Sequence, residues 1–139
     1  MRQFSDLMCY KLGVASRKIQ KYYNNRYCEF GITAVQSLVL LSLLEEDGQN
    51  IRNLAQKLSI DSSVTGLIDR LEKEQLVIRV VDAQDRRSFQ IFLTEKGKEI
   101  ADSIFPIAMQ TDAILRSRTD GSDQGFIDNI LVELDNMLE

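Results

Sequence analysis

The sequence predicts a mainly α-helical chain with one small β-hairpin, and three observations carry that expectation. Apolar residues recur at helical spacing through most of its 139 residues. Two short helical patterns in the middle are joined by only Ser59-Ile60-Asp61. Two five-residue runs of β-branched and aromatic residues follow at once, separated by seven mostly polar residues. Together these read as a helix-turn-helix followed by a hairpin whose loop exceeds the usual two to five residues and so projects as a wing. The expected architecture is a winged helix-turn-helix with long N- and C-terminal helices. With no repeat and no Pro/Gly-rich linker, residues 1–139 are read as a single domain. The winged helix spans about 33–93, and the flanking helices, about 3–30 and 94–139, are read as dimerisation elements.

In chain order, the stretch Gln3 to Tyr27 lacks proline and sets Leu7, Leu12, Ala15, Ile19, Tyr22 and Tyr23 near one helical stripe. Such a helix is too long for so small a domain to cover, so a second subunit is the natural cover. Gly31 should stop it, and Thr33-Ala34-Val35-Gln36 has the form of a capping box that opens the next helix. There Val35, Leu38, Val39, Ser42 and Leu43 trace the expected inner face, ending at Glu45-Glu46-Asp47-Gly48. Asn50 is placed to cap a helix over Ile51–Leu58, and Asp61 or Ser62 to cap another that runs to about Gln75. The latter repeats Val64, Leu67, Ile68 and Leu71 at helical spacing. Val77–Val81 and Phe89–Leu93 are the two strands. Thr94 should cap a helix through Ile100, Ile104 and Ile107 that Pro106 kinks or splits. After a turn over Thr119 to Gly125, a last amphipathic helix carries Phe126, Ile127, Ile130, Leu131, Leu134 and Leu138.

Composition narrows the function classes. No apolar run approaches the roughly 18 residues of a membrane span, and Met1 to Tyr10 hold no apolar signal core, so a cytoplasmic location is expected. The two cysteines, Cys9 and Cys28, are too few for a disulfide framework. The chain has no histidine, which argues against zinc sites and against Ser-His or Cys-His catalysis. No metal site, cofactor or enzymatic activity is expected. The net charge of −4 is uneven: residues 1–47 and 48–93 each carry +1, and residues 94–139 carry −6. A polyanionic partner would therefore meet the middle segment.

Burying the Val64–Leu71 stripe turns Ser62, Ser63, Thr65, Gly66, Asp69, Arg70 and Lys73 outward. Small hydroxylic residues at a helix N-terminus, with Arg and Lys one or two turns later, suit a major groove, and Ser62, Ser63, Thr65, Arg70 and Lys73 are the candidate contacts. At the wing tip Asp85 stands close enough to orient one of Arg86 and Arg87, and an oriented Arg suits the negative potential of a narrow minor groove. Each feature alone also fits a solvated surface. Helix and wing together favour double-stranded DNA. A winged-helix module that binds protein without sequence-selective DNA binding is the alternative.

At these residues the chain resembles the MarR family of regulators. The resemblance rests on Gly31-Ile32-Thr33 with Gln36, on Leu54-Ala55, and on Asp69-Arg70-Leu71-Glu72. Above all it rests on Asp82-Ala83-Gln84-Asp85-Arg86-Arg87-Ser88 followed by Leu93-Thr94-Glu95-Lys96-Gly97. It implies a homodimer on a pseudo-palindromic operator, usually a repressor, released by a small-molecule effector or by oxidation, with Asp85 positioning Arg87 in the minor groove. Three features depart from the pattern: a shorter turn before the recognition helix, Gly66 where a DNA-reaching side chain is frequent, and Gln75 where Gly is frequent.

The Leu7-Met8-Cys9-Tyr10 segment is similar to the peroxide-sensing branch of that family, which implies a sensor thiol at Cys9 with Tyr23 as a partner. The two are 14 residues apart on one helix, roughly 21 Å, so contact requires the second subunit. The alternative for both cysteines is a small buried apolar role. The resemblance also implies an effector pocket, for which Tyr10, Tyr22, Tyr27 and Phe30 are the candidates. The same aromatic residues fit dimer core equally.

Overall fold

The first helix begins later than its apolar stripe suggests. In the computed structural model, which describes residues 3–60, 63–119 and 123–138, a single 3-10 turn at Phe4–Asp6 precedes α1 (Met8–Tyr27). Leu7 between them is extended (φ −65°, ψ 137°), because the Asp6 carboxylate accepts from the Gln3 N–H and closes the short turn on itself. At its other end α1 runs into a 3-10 turn, Cys28–Phe30, and Gly31 at φ 74° ends it in the left-handed conformation that glycine adopts without a Cβ penalty.

Then follow α2 (Ala34–Glu45), β1 (Gln49–Asn50), α3 (Ile51–Leu58) and α4 (Val64–Lys73). The strands β2 (Val77–Val81) and β3 (Phe89–Leu93) precede α5 (Glu95–Arg118) and α6 (Asp123–Met137). The expected capping box is present: Gln36 N–H donates to Thr33 Oγ1 at 3.1 Å, and Thr33 N–H donates to Gln36 Oε1 at 2.9 Å. Asn24 of α1 adds a third cap by accepting from Ala34 N–H at 2.6 Å. The inner face of α2 differs from the expected stripe: Leu38 is exposed, while Ala34, Gln36, Ser37 and Leu40 join Val39, Ser42 and Leu43 in the interior. The reason is tertiary, since α2 meets α1, α3 and β3 and is covered on more than one side.

The hairpin is part of a three-stranded antiparallel sheet in the order β1-β3-β2, with Gln49 opposite Ile91 and Val77 opposite Leu93. The two-residue strand β1 is too short to leave a periodic signal. Its Gln49 side chain is buried and donates to the Ser42 carbonyl (2.8 Å), which also accepts from Glu46 N–H (3.0 Å), and to the Glu46 carbonyl (2.7 Å), an acceptor just past the end of α2. Val39, Leu40, Leu43, Leu54, Ile68, Leu71, Leu76, Ile91 and Ile104 form the centre of the core.

The chain divides into two compact units, Met1–Ile104 and Phe105–Glu139. Pro106 does not split its helix; α5 is continuous from Glu95 to Arg118. Proline removes the N–H that would bond the Asp102 carbonyl, and Asp102 is exposed, so water can take that acceptor. The last helix starts at Asp123, inside the stretch expected as a turn. Within the second unit Phe126, Ile127, Leu131 and Leu134 of α6 are exposed, as are Leu12, Ile19 and Tyr22 of α1 in the first. No single described helix is long and apolar enough to cross a membrane.

Candidate nucleic-acid interface

Helix α4 is held from below by its apolar stripe. Val64, Leu67, Ile68 and Leu71 are all buried, and Ser63, Thr65, Gly66, Arg70 and Lys73 are exposed. Ser62 and Asp61, the expected cap, lie outside the described residues. Ser63 precedes the helix, and its hydroxyl donates back to the Ile60 carbonyl at 3.3 Å rather than capping α4. The C-terminus of α3 closes on itself because Ser59 takes φ 53°, which lets Ile60 N–H reach the Ala55 carbonyl at 3.1 Å.

The C-terminus of α4 closes with a complete Schellman motif. Leu76 N–H donates to the Leu71 carbonyl and Gln75 N–H to the Glu72 carbonyl, both at 2.9 Å, while Leu71 and Leu76 are both buried. Gln75 occupies the left-handed position at φ 64°, so the missing glycine noted in the sequence is a real departure in the backbone.

Asp69 does not face outward as a free group. Arg79 of β2 forms an ion pair with Asp69 and approaches Glu72 at 3.4 Å, and its guanidinium lies 5.8 Å from the Phe89 ring centre. Asp69 and Glu72 are three residues apart and therefore share a face of α4. Arg79 stands two residues after buried Val77 and so shares its face of the strand, which aims both at the helix. This Arg positions the helix against the sheet and was missed in the sequence. A lone charge inside a β-branched run was the available signal.

The wing is pinched at its base. Asp82 N–H donates to the Ser88 carbonyl at 3.0 Å, and Ser88 is buried. Asn50, whose Oδ1 caps α3 by accepting from Arg52 N–H at 2.8 Å, turns its amide toward both stems. That amide donates to Asp82 Oδ2 at 2.9 Å and to Ser88 Oγ at 2.8 Å. The Gln84 N–H and the Asn50 amide stabilise the ionised Asp82 carboxylate and hold its pKa below the usual value. Beyond the pinch, Asp85 Oδ1 accepts from Arg87 N–H at 3.1 Å and lies 3.7 Å from Arg87 Nε. Arg86 and Arg87 are both exposed. Asp85 Oδ2 also lies 4.0 Å from Nη2 of Arg52, a residue that no motif or spacing singles out.

The first turn of α5 clasps the turn after α4. Thr94 Oγ1 donates to the Gln75 carbonyl at 2.6 Å and accepts from Gly97 N–H at 3.0 Å. Thr94 N–H donates to the Leu76 carbonyl at 3.1 Å. A Cβ on Gly97 would stand 2.0 Å from that same carbonyl oxygen.

The remaining candidates are spread along α1 and the 3-10 turn that follows it. Cys9 and Cys28 are both exposed, and the Cys28 thiol donates to the Asn25 carbonyl at 3.1 Å. Tyr23 is far from Cys9 on the same helix and packs with Tyr22 (5.5 Å between ring centres) and Tyr27 (5.3 Å). Among the described residues the four aromatic pocket candidates have different surroundings. Tyr10 packs edge-on against Phe4, Tyr22 is exposed, Tyr27 is buried, and Phe30 borders a depression with Lys73 and Lys96. Burial is the main cause of the rise in the Tyr27 pKa to about 12, with neighbouring Tyr23 adding to it, and its hydroxyl has no hydrogen-bond partner among the described residues. A different cleft, of about 460 Å³, opens beside the recognition helix between Asn24, Thr33, Gln36, Ser63, Gly66 and Arg70. No cluster of three or more metal-ligating side chains occurs among the described residues.

Comparison with known proteins agrees with this architecture. Residues 32–89 match the model of the MarR family. The HTH-type transcriptional regulator SarZ of Staphylococcus epidermidis is 35% identical over 105 residues, covering 75% of this chain and 71% of SarZ. Among solved structures, reduced AbfR bound to DNA superposes with a TM-score of 0.81 at 26% identity, covering 95% of this chain and 92% of AbfR. The S. aureus MepR–DNA complex has the same fold, with a TM-score of 0.82 at 24% identity over the full length of both chains. These matches are to regulators and not to enzymes. The chain belongs to the MarR family of winged helix-turn-helix transcriptional regulators.

Proposed function

We propose that this regulator binds a pseudo-palindromic operator as a homodimer and represses transcription from it. In this reading α4 enters the major groove with Ser63, Thr65, Arg70 and Lys73, and Arg87 enters the neighbouring minor groove with Arg86 beside it. The observation that carries the reading is the wing: Asp85 holds Arg87 at two points, and Asn50 fixes the loop from which both project. A guanidinium whose position is biased by a neighbouring carboxylate loses less freedom when it enters a groove. AbfR, similar in sequence and fold, has been solved on DNA, which supports the same use here. The exposed apolar rows of α1 and α6 supply the surface for a second copy, and a two-fold dimer reads a two-fold operator.

Release from DNA is assigned to a small-molecule effector. The cleft beside Ser63, Gly66 and Arg70 supports this, because a ligand there would touch α4 itself. Oxidation of Cys9 is the second reading, favoured by the exposure of its thiol. The test is duplex binding by fluorescence anisotropy, using the gene's own upstream region. Wild type should bind with an affinity that falls steeply with salt, and Arg87→Ala should weaken it about 10-fold or more. Absence of binding at low salt, or binding indifferent to Arg87→Ala, would refute the proposal. Salt-insensitive capture of a protein partner would favour the interaction-module alternative. Hydroperoxide release that persists in Cys9→Ser would eliminate the thiol route.

A further inference from the structure

We infer that Arg52, on the first turn of α3, is a DNA-contacting residue of the wing, a phosphate clamp that shares Asp85 with Arg87. The inference rests on the wing reading above and adds a contact from a different element. Asn50 caps α3 and at the same time bonds Asp82 and Ser88, so the first turn of α3 is fastened to both stems of the wing loop. Arg52, two residues further on, is brought beside the loop it does not belong to. Its Nη2 lies 4.0 Å from Asp85 Oδ2, while Arg87 Nε lies 3.7 Å from Oδ1 of the same carboxylate.

One carboxylate cannot neutralise two guanidiniums. Arg52 and Arg87 meet Asp85 at this corner and Arg86 stands between Asp85 and Arg87 in the loop, so counting Asp82 at the base still leaves a surplus of one positive charge. The Arg52 side chain is 71% exposed and that of Arg87 89%, so both heads remain in water and available to a polyanion. A solvated pair at 4.0 Å is weak, and a phosphate oxygen can displace it. Asp85 thus sets the spacing of two cations, one from the loop for the groove and one from α3 for the adjoining backbone. Because phosphate contacts carry no sequence information, Arg52 should contribute equally on any duplex.

The experiment measures anisotropy against salt, from about 50 to 200 mM where phosphate contacts dominate the slope. It uses the upstream region and an unrelated duplex of equal length. The proteins are wild type, Arg52→Ala, Arg52→Lys and Arg87→Ala, with thermal unfolding of each. Arg52→Ala should bind both duplexes about 5- to 30-fold more weakly at the low-salt end. The slope of log K against log salt should fall by about 0.9 for each clamp lost, or about twice that per dimer. Arg52→Lys should restore the slope, and the unfolding temperature should be unchanged. Wild-type affinity and slope in Arg52→Ala, alongside a weakened Arg87→Ala, would overturn this inference alone. An unaffected Arg87→Ala would overturn the wing reading beneath it. If Arg52→Ala unfolds early and Arg52→Lys restores stability but not slope, the role is structural and the inference fails.

Discussion

Replacing Gly97 with alanine sets two physical effects against each other, and the geometry decides the sign. Helix propensity alone favours the change, since alanine is about 1 kcal/mol better than glycine within a helix. Against this, the new Cβ would stand 2.0 Å from the Leu76 carbonyl oxygen, 3.0 Å from its carbon and 3.3 Å from its Cα. All three atoms are backbone, in a segment fixed by the Schellman motif and by Thr94, so no side chain can swing aside. The first turn of α5 must retreat by about 1 Å, and forced overpacking of this kind costs about 1–3 kcal/mol. The retreat also stretches the Thr94 bonds to Gln75 and Leu76, each worth about 0.5–1.5 kcal/mol. The net expectation is a loss of about 2–4 kcal/mol, which lowers Tm by on the order of 10 °C for a chain of this size. Urea and thermal unfolding should be run at fixed protein concentration, because the midpoint of any self-associating protein depends on it. Gly66→Ala is the internal control: its Cβ meets nothing within 4 Å, so propensity is unopposed and a gain of about 0.5–1 kcal/mol is expected. Equal or higher stability in Gly97→Ala would refute the steric argument. A matching loss in Gly66→Ala would refute the propensity half.

Three further outcomes follow from the geometry. Gln75→Gly should stabilise by about 0.5–1 kcal/mol in urea unfolding, because the left-handed position at the end of α4 strains any side chain; a loss would show that the Gln75 side chain does more than tolerate the turn. The raised Tyr27 pKa favours the neutral phenol in the folded state, so its contribution is complete below the usual value near 10 and is lost as pH rises toward about 12. Tyr27→Phe should remove an ionisation step at about 12 from an ultraviolet titration and flatten alkaline unfolding over that interval; a surviving step at about 12 would contradict the assignment. The Asp82 pKa is lowered in the fold, so its contribution is present above the usual carboxylate value and is lost as pH falls through the depressed one. The stability gap between wild type and Asp82→Asn should therefore be present at neutral pH and close in acid, and a gap independent of pH would sink the wing-base role.

What the sequence made legible was what repeats at short range. The α4 stripe, the Thr33 capping box, the Asn50 cap and both hairpin strands follow from spacings of two to seven residues, and all are present. The Asp85–Arg87 pairing was legible for the same reason. Features built from residues far apart in the chain were not. Arg52 and Asp85 are 33 positions apart, Asn50 and Ser88 are 38, and Gly97 reaches Leu76 across 21. Strand β1 escaped notice because two residues define no period, and α2 misled because it is covered on several sides rather than one. The extra turn of helix expected before Met8 was lost to a local hydrogen bond that competes with it.

The pinch at the foot of the wing has a consequence for how this protein can change. Asp82, Ser88 and Asn50 form a closed ring of hydrogen bonds, so residues 83–87 hang outside a fixed gate. Side-chain exchanges within that span leave the ring's own bonds intact, whereas insertions and deletions would disturb the Gln84 N–H bond to Asp82 and the Ser88 N–H bond to the Asp85 carbonyl. The three gate residues are interdependent, and replacing any one strands the polar groups of the other two. If the tip reads DNA as proposed, new preferences can therefore be explored there by side-chain exchange at little risk to folding, while the foot is constrained to vary as a set.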